Sequence, residues 1–192
     1  MTEKPNKSWL DLSAFDNSDY NPGRGKFTRT LWYFVSACFL ESGCFPFNGL
    51  KARLLRVFGA KIGRGVTIKP HVRIKYPWML TIGDHCWIGQ EVWIDNMAPV
   101  TIGSHVCISQ KSYFCTGSHD HRRKAFDLIT GPITVDDGAW VGAAAVLLQN
   151  VSIGANALVA SGSIVVNDVE PAVIVGGNPA KPIGEREEPQ SS

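Results

Sequence analysis

Aliphatic side chains recur at every sixth position over long stretches of this chain. One register runs through Ile62, Ile68, Ile74 and Leu80. It shifts by two residues to Ile82, Ile88 and Ile94, then by two again to Ile102, Ile108 and Phe114. After a break it returns at Val135, Val141, Leu147, Ile153, Val159 and Val165. A period of six suits neither a helix nor a flat alternating strand. It suits a coil whose short strands each fill one side of a triangular prism and send one aliphatic side chain inward. About three hexads then close a turn, and stacked turns bury a continuous column of Ile, Val and Leu. The competing arrangement, short sandwich strands in step by coincidence, must explain six returns of the register without a miss. Gly follows the aliphatic residue at Gly63, Gly83, Gly89, Gly103, Gly142 and Gly154. Gly or Asn near the corners is expected to supply the backbone angles of tight turns.

The pattern divides the 192 residues into an extended arm (1–25), a helical extension (26–59), the coil (60–183) and a flexible tail (184–192). A loop is expected to protrude from the coil at about 120–132, where the register stops. Two helices are predicted in the extension, near Thr28–Glu41 and Leu50–Phe58, around the turn-like GCFPFNG. The apolar run of the first is shorter than the roughly 20 residues that cross a bilayer. The second sets Lys51, Arg53 and Arg56 against Leu50, Leu54, Leu55, Val57 and Phe58. Two roles stay open for this pair: capping the open end of the coil, or docking on a membrane surface.

Composition narrows the classes. With 44% hydrophobic and 19% charged residues the chain reads as globular. A net charge of +2 gives no reason to expect a nucleic-acid partner. The cysteines, Cys38, Cys44, Cys86, Cys107 and Cys115, are odd in number and form no CxxC pair. That argues against a disulfide framework or zinc ribbon and suits a reducing cytoplasm. The opening MTEKPNKSW lacks the apolar core and cleavage site of a signal peptide, so none is expected.

The stretch ITVDDGAWVGAAAVLLQNVSIGANALVASGSIV, followed by GGNPAK, resembles the left-handed parallel β-helix acyltransferases of the hexapeptide-repeat superfamily. The likeness covers about Gly59 to Ile183. A narrower one, to the colanic acid biosynthesis acetyltransferase group, rests on LRVFGAKIGRGVTIKPHVRIKYPW, WIDNMAPVTIGSHVCISQKSYFCTGSHD and GNPAK. The resemblance implies a mainly β fold, a left-handed parallel β-helix with an N-terminal helical extension. It implies a homotrimer whose active sites lie between neighbouring coils, acetyl-coenzyme A as co-substrate, and no metal. It also implies a sugar or lipid-linked oligosaccharide acceptor in bacterial exopolysaccharide assembly. The expected location is cytoplasmic, with peripheral contact at the inner face of the membrane.

A sugar hydroxyl is a poor nucleophile at neutral pH, and histidine is the side chain best matched to accept its proton. The superfamily's catalytic histidine follows a Thr-Gly pair at the end of a coil. In CTGSHDHRRKAF that role falls by resemblance on His119, with Ser118 as an extra residue. His121 competes if the strand runs on through it; if the loop begins at Asp120, His121 leaves the site. Arg122, Arg123 and Lys124 meet an anionic acceptor group or simply form a solvated loop tip. Trp93, Asp95 and Asn96, at the two-residue insertion one coil away, offer stacking and hydrogen-bonding groups for a sugar. A pantetheine arm needs small side chains along the coil, which Ala143, Ala144 and Ala145, then Ala160, Ser161 and Gly162, supply. By resemblance Ala143 and Ser161 contact coenzyme A through their backbones, Trp140 lies beside it, and Lys181 sits near its phosphates. Val166-Asn167 departs from the Thr-Lys of relatives and puts one phosphate contact in doubt. Two other functions compete: a non-catalytic trimeric scaffold, and a zinc hydratase on the same coil, which needs three histidines converging across a subunit boundary.

Overall fold

The computed structural model of the chain describes residues 8–188. The hexads form a parallel coil. Its first turn is β1 (Lys61–Ile62), β2 (Thr67–Ile68) and β3 (Arg73–Ile74). The second is β4 (Leu80–Ile82), β5 (Trp87–Ile88) and β6 (Trp93–Asp95), and the third β7 (Val100–Ile102), β8 (Cys107–Ile108) and β9 (Tyr113–Cys115). A hairpin, β10 (Gly117–His119) and β11 (Leu128–Thr130), interrupts it. The fourth turn is β12 (Ile133–Val135), β13 (Trp140–Val141) and β14 (Val146–Leu148); the fifth is β15 (Val151–Ile153), β16 (Leu158–Val159) and β17 (Ile164–Val165). A partial sixth turn ends in β18 (Val173–Gly177), on which β19 (Ala180–Glu185) folds back antiparallel. Corresponding strands stack into three faces, led by β1, β2 and β3.

The register puts like residues in line: Ile62, Ile82, Ile102, Val135 and Ile153 on the first face, for example. All are buried, and with their counterparts they form one core. The hexad glycines serve close approach rather than unusual angles. A Cβ on Gly83 would sit 2.6 Å from the backbone of Gly103 in the next turn. The left-handed corner positions go instead to His85, His105, Lys111, Asn150 and Asn156, among others.

In the coil an N–H of one turn donates to a carbonyl of the next, as from Gly63 to Ile82, Lys69 to Ile88 and Lys75 to Ile94. The carbonyls of Ile62, Ile68 and Ile74 face the side where no preceding turn lies. The helical extension supplies one donor to each face: Arg56 Nε to Ile62 O (3.0 Å), Lys51 Nζ to Ile68 O (3.3 Å) and Trp32 Nε1 to Ile74 O (2.8 Å). These come from α1 (Lys26–Val35), which continues through a π-helical turn (Ser36–Leu40), and from α2 (Asn48–Val57). Trp32, Leu40, Ala52 and Leu55 join the core from this side. Capping is thus what the buried face of the extension does. Its outer face leaves Phe27, Leu31 and Phe34 exposed. Residues 184–186, read as tail, are tied down: Arg186 donates from its backbone to Ala172 and from its side chain to Gly138 and Asn156. The rest of the predicted tail beyond 188, and residues 1–7 of the predicted arm, lie outside the described residues.

Candidate active site

The coil breaks where Thr116 turns inward. Its hydroxyl donates to Asp95 O (2.8 Å) and accepts from Ala98 N–H (3.0 Å), anchoring the start of the hairpin. His119 is the last residue of β10, opposite Leu128. Its Nδ1 lies 2.8 Å from Phe126 O. A carbonyl only accepts, so Nδ1 carries a hydrogen, and in the neutral imidazole the lone pair is on Nε2. The ring lies flat on Phe126 (centroids 4.4 Å apart, planes at 3°), and Phe15 approaches at 5.6 Å. Phe126 has φ +56°, a conformation bulky residues rarely adopt. In that conformation both its carbonyl and its ring meet His119. The loop begins at Asp120, whose N–H donates to Asp127 O, and His121 is exposed on it. The basic residues of the loop are already paired: Arg122 with Asp120, Arg123 with Asp127, Lys124 with Asp11. They are not a free cationic patch.

The arm packs against this hairpin and the coil. Asp11 N–H donates to Lys124 O, Tyr20 Oη to Met97 O (2.7 Å), and Trp78 Nε1 to Pro22 O (2.6 Å). Burial, with Tyr76 and Asp95 nearby, pushes the Tyr20 hydroxyl well above the usual phenol range.

On the acceptor side the expectation needs correction. Asn96 is fully buried: Oδ1 accepts Tyr76 N–H (2.9 Å) and Nδ2 donates to Tyr76 O (2.7 Å). It holds the wall and offers nothing to a ligand. Trp93 is 39% exposed, but Tyr113 stacks on it at 4.6 Å and the Arg73 guanidinium lies 5.8 Å from its ring centre. These neighbours sit above and below it in register, so Trp93 presents an edge rather than an open face. Asp95 accepts from Tyr113 Oη (3.3 Å), and its Oδ1 lies 2.8 Å from Lys75 Nζ, though outside hydrogen-bond alignment.

Trp140, Ala143, Ser161 and Lys181 lie along another part of the coil. Trp140 points out from the second face and donates to Ser109 Oγ (2.9 Å). Ala143 and Ser161 follow one turn apart at the edge between the second and third faces, and Lys181 pairs with Gly176 beyond them. At the edge between the first and second faces, side chains cap the corner amides: Asp84 accepts Arg64 N–H and Asp137 accepts Ser104 N–H. The N–H groups of Ala143 and Ser161 have no such partner among the described residues. Small side chains leave them open, which fits a ligand that carries amide carbonyls. His119 leaves the coil at the opposite edge of the third face, roughly 15 Å away across about five strand residues. Within one chain the two groups thus stand at different edges of the coil. Nor do the described residues hold a group of three or more His, Cys, Asp or Glu suited to a metal; His85 and His105 stack on each other instead.

The chain is 39% identical over 178 residues to WcaF of Escherichia coli K12, a protein named for acetyl transfer in colanic acid biosynthesis; the match spans 93% of this chain and 98% of WcaF. The chain belongs to the hexapeptide-repeat acetyltransferase family. A solved family member from Vibrio cholerae, in complex with acetyl-coenzyme A, superposes with a TM-score of 0.76 at 30% identity over 85% of this chain and 89% of its own. Galactoside acetyltransferase in complex with coenzyme A gives 0.75 at 26%, over 84% of this chain and 82% of its own. No protein-family model matches the chain. Within this hexapeptide-repeat acetyltransferase, sequence reasoning missed Phe15 and Phe126 beside His119, and the three cap donors. An aromatic residue at the end of a basic run was the only available signal for Phe126; Phe15, far away in the chain, gave none.

Proposed function

We propose that the protein is an O-acetyltransferase that moves an acetyl group from acetyl-coenzyme A to a hydroxyl of a sugar or lipid-linked oligosaccharide. The observation that carries this reading is the Nδ1 tie of His119 to Phe126 O, which leaves Nε2 free. Acetyl-coenzyme A supplies an activated thioester. His119 Nε2 takes the proton of the acceptor hydroxyl as its oxygen attacks, then returns it to the departing sulfur. The open amides of Ala143 and Ser161 hold the pantetheine arm, Trp140 flanks it and Lys181 meets its phosphates. Trp93 and Asp95 border the acceptor. Relatives named for sugar-directed or polysaccharide-related acetylation support the acceptor class.

The two halves of this site occupy opposite edges of one face, so the reading needs a cyclic neighbour. We propose a homotrimer in which His119 of one copy meets the Ala143–Ser161 edge of the next. No helix among the described residues is long and apolar enough to cross a membrane. A cytoplasmic protein whose exposed Phe27, Leu31 and Phe34 touch the inner membrane surface is the arrangement we favour.

The test is His119→Ala beside His121→Ala, read by thiol release and by coenzyme A binding. His119→Ala is expected to lower kcat by about 10²–10⁴-fold with coenzyme A affinity little changed, and His121→Ala to cost far less. An inactive His121→Ala with an active His119→Ala contradicts the assignment.

A further inference from the structure

Between α1 and the third face lies a cavity of about 270 Å³ that the proton-transfer step does not use. Its wall includes Arg29 and Tyr33 from the helix, and Arg73, Lys75, Tyr76 and Trp93 from the first two turns. Two of its three cations are already matched: Arg73 lies 3.3 Å from Glu41, and Lys75 2.8 Å from Asp95. Arg29 belongs to no ion pair among the described residues, and its Nε is buried without a hydrogen-bond partner. Buried donors in folded proteins are normally paired. A planar guanidinium is the donor best shaped for a carboxylate or phosphate. Tyr33, Tyr76 and Trp93 beside it give the cavity an apolar wall for the carbon skeleton of a sugar.

The cavity joins the candidate acceptor surface through Trp93 and Asp95. From there the outward column Arg73, Trp93, Tyr113 climbs the third face one strand per turn. At about 4.8 Å per strand, β9 stands roughly 10 Å above the cavity floor. His119 lies four residues beyond the end of β9, at the end of β10. A ligand reaching from Arg29 to His119 therefore spans more than a single sugar ring.

We infer that the acceptor, if the acetyltransferase reading above holds, is an oligosaccharide bearing an anionic unit, a hexuronate or a glycosyl phosphate, held by Arg29 one or two residues from the acetylated hydroxyl. Arg73 and Lys75 offset the Glu41 and Asp95 carboxylates of the same wall and leave Arg29 as its unmatched charge among the described residues.

Calorimetry on the full-length His119→Ala chain tests this apart from turnover. The probes are a glucuronosyl disaccharide, its neutral glucosyl counterpart and glucose 1-phosphate, at low salt. At least one anionic probe is expected to bind about tenfold or more tighter than the neutral one. The two anionic probes tell carboxylate from phosphate. Arg29→Gln, introduced beside His119→Ala, is expected to erase the preference; Arg73→Gln, a more exposed second variant, is expected to weaken it. Equal binding of all probes, no binding of either anionic probe, or a preference that survives both substitutions overturns the inference. Wild-type acetyl transfer to neutral glycans without charge preference also overturns it and leaves the acetyltransferase reading standing. Charge-selective binding with no transfer to any glycan sinks that reading instead and leaves the anionic pocket in place.

Discussion

The three faces of the coil are alike inside and unlike outside. Inward positions are Ile, Val, Leu or Phe on every face. Outward, the first face carries Lys61, Thr81, Thr101, Thr134 and Ser152. The second carries Thr67, Trp87, Cys107, Trp140, Leu158 and Ile174, and the third Arg73, Trp93, Tyr113, Val146 and Ile164. Trp87 is 62% exposed and Trp140 43%. The fold needs only the inward set, so the asymmetry outside has another origin. We propose that the polar face meets water and that the other two meet a neighbouring copy and the substrates.

The comparison can be broken from the inside first. Phe114→Ala empties a fully buried position and is expected to cost about 3–5 kcal/mol. Thr101→Ala, outward on the first face, is expected to stay within about 0.5 kcal/mol. Urea unfolding at fixed protein concentration measures both; equal costs would deny the inward–outward distinction. Next, Trp87→Glu on the second face is expected to weaken association by about 2 kcal/mol or more, while Thr81→Glu on the first face leaves it intact. Sedimentation over a dilution series decides; dissociation by Thr81→Glu alone would assign the faces wrongly.

The cap sets smaller effects. Trp32→Phe keeps most of the packing but strands Ile74 O, for an expected loss of about 1–3 kcal/mol. Lys51 is wholly buried, and burial lowers its pKa below the ordinary 10.5. The unfolded chain thus binds this proton more tightly than the folded one. Between the lowered value and 10.5 the unfolded state carries more protons, so this group's contribution makes stability rise with pH in that window and level off above it. Lys51→Met is expected to flatten that rise in denaturation profiles; an unchanged slope would contradict the assignment.

The hexads were legible because each inward residue is set by a local period, and the corner turns repeat with it. The hairpin that carries His119 was legible as a break in that period. Asn96 was misread because its surroundings are not local: it bonds Tyr76 in the turn below, which spacing alone does not reveal. The same holds for Phe15 on His119, where the arm returns from the far end of the chain. Trp32 read as part of an apolar run, and Lys51 and Arg56 as the basic side of an amphipathic helix. Only the stranded carbonyls of the first turn show why a long donor stands at each.

The central claim is that the catalytic base and the cofactor edge of one site come from different chains. Co-expressing His119→Ala with Ser161→Trp tests it most directly. Each variant alone is expected to be inactive, one lacking the base and the other obstructing the open amides. If each site takes His119 from one copy and Ser161 from the next, random mixing restores about a quarter of the sites, and thiol release returns to about that fraction of wild type. No recovery in trimers shown to contain both variants would place the whole site within one chain and contradict the account.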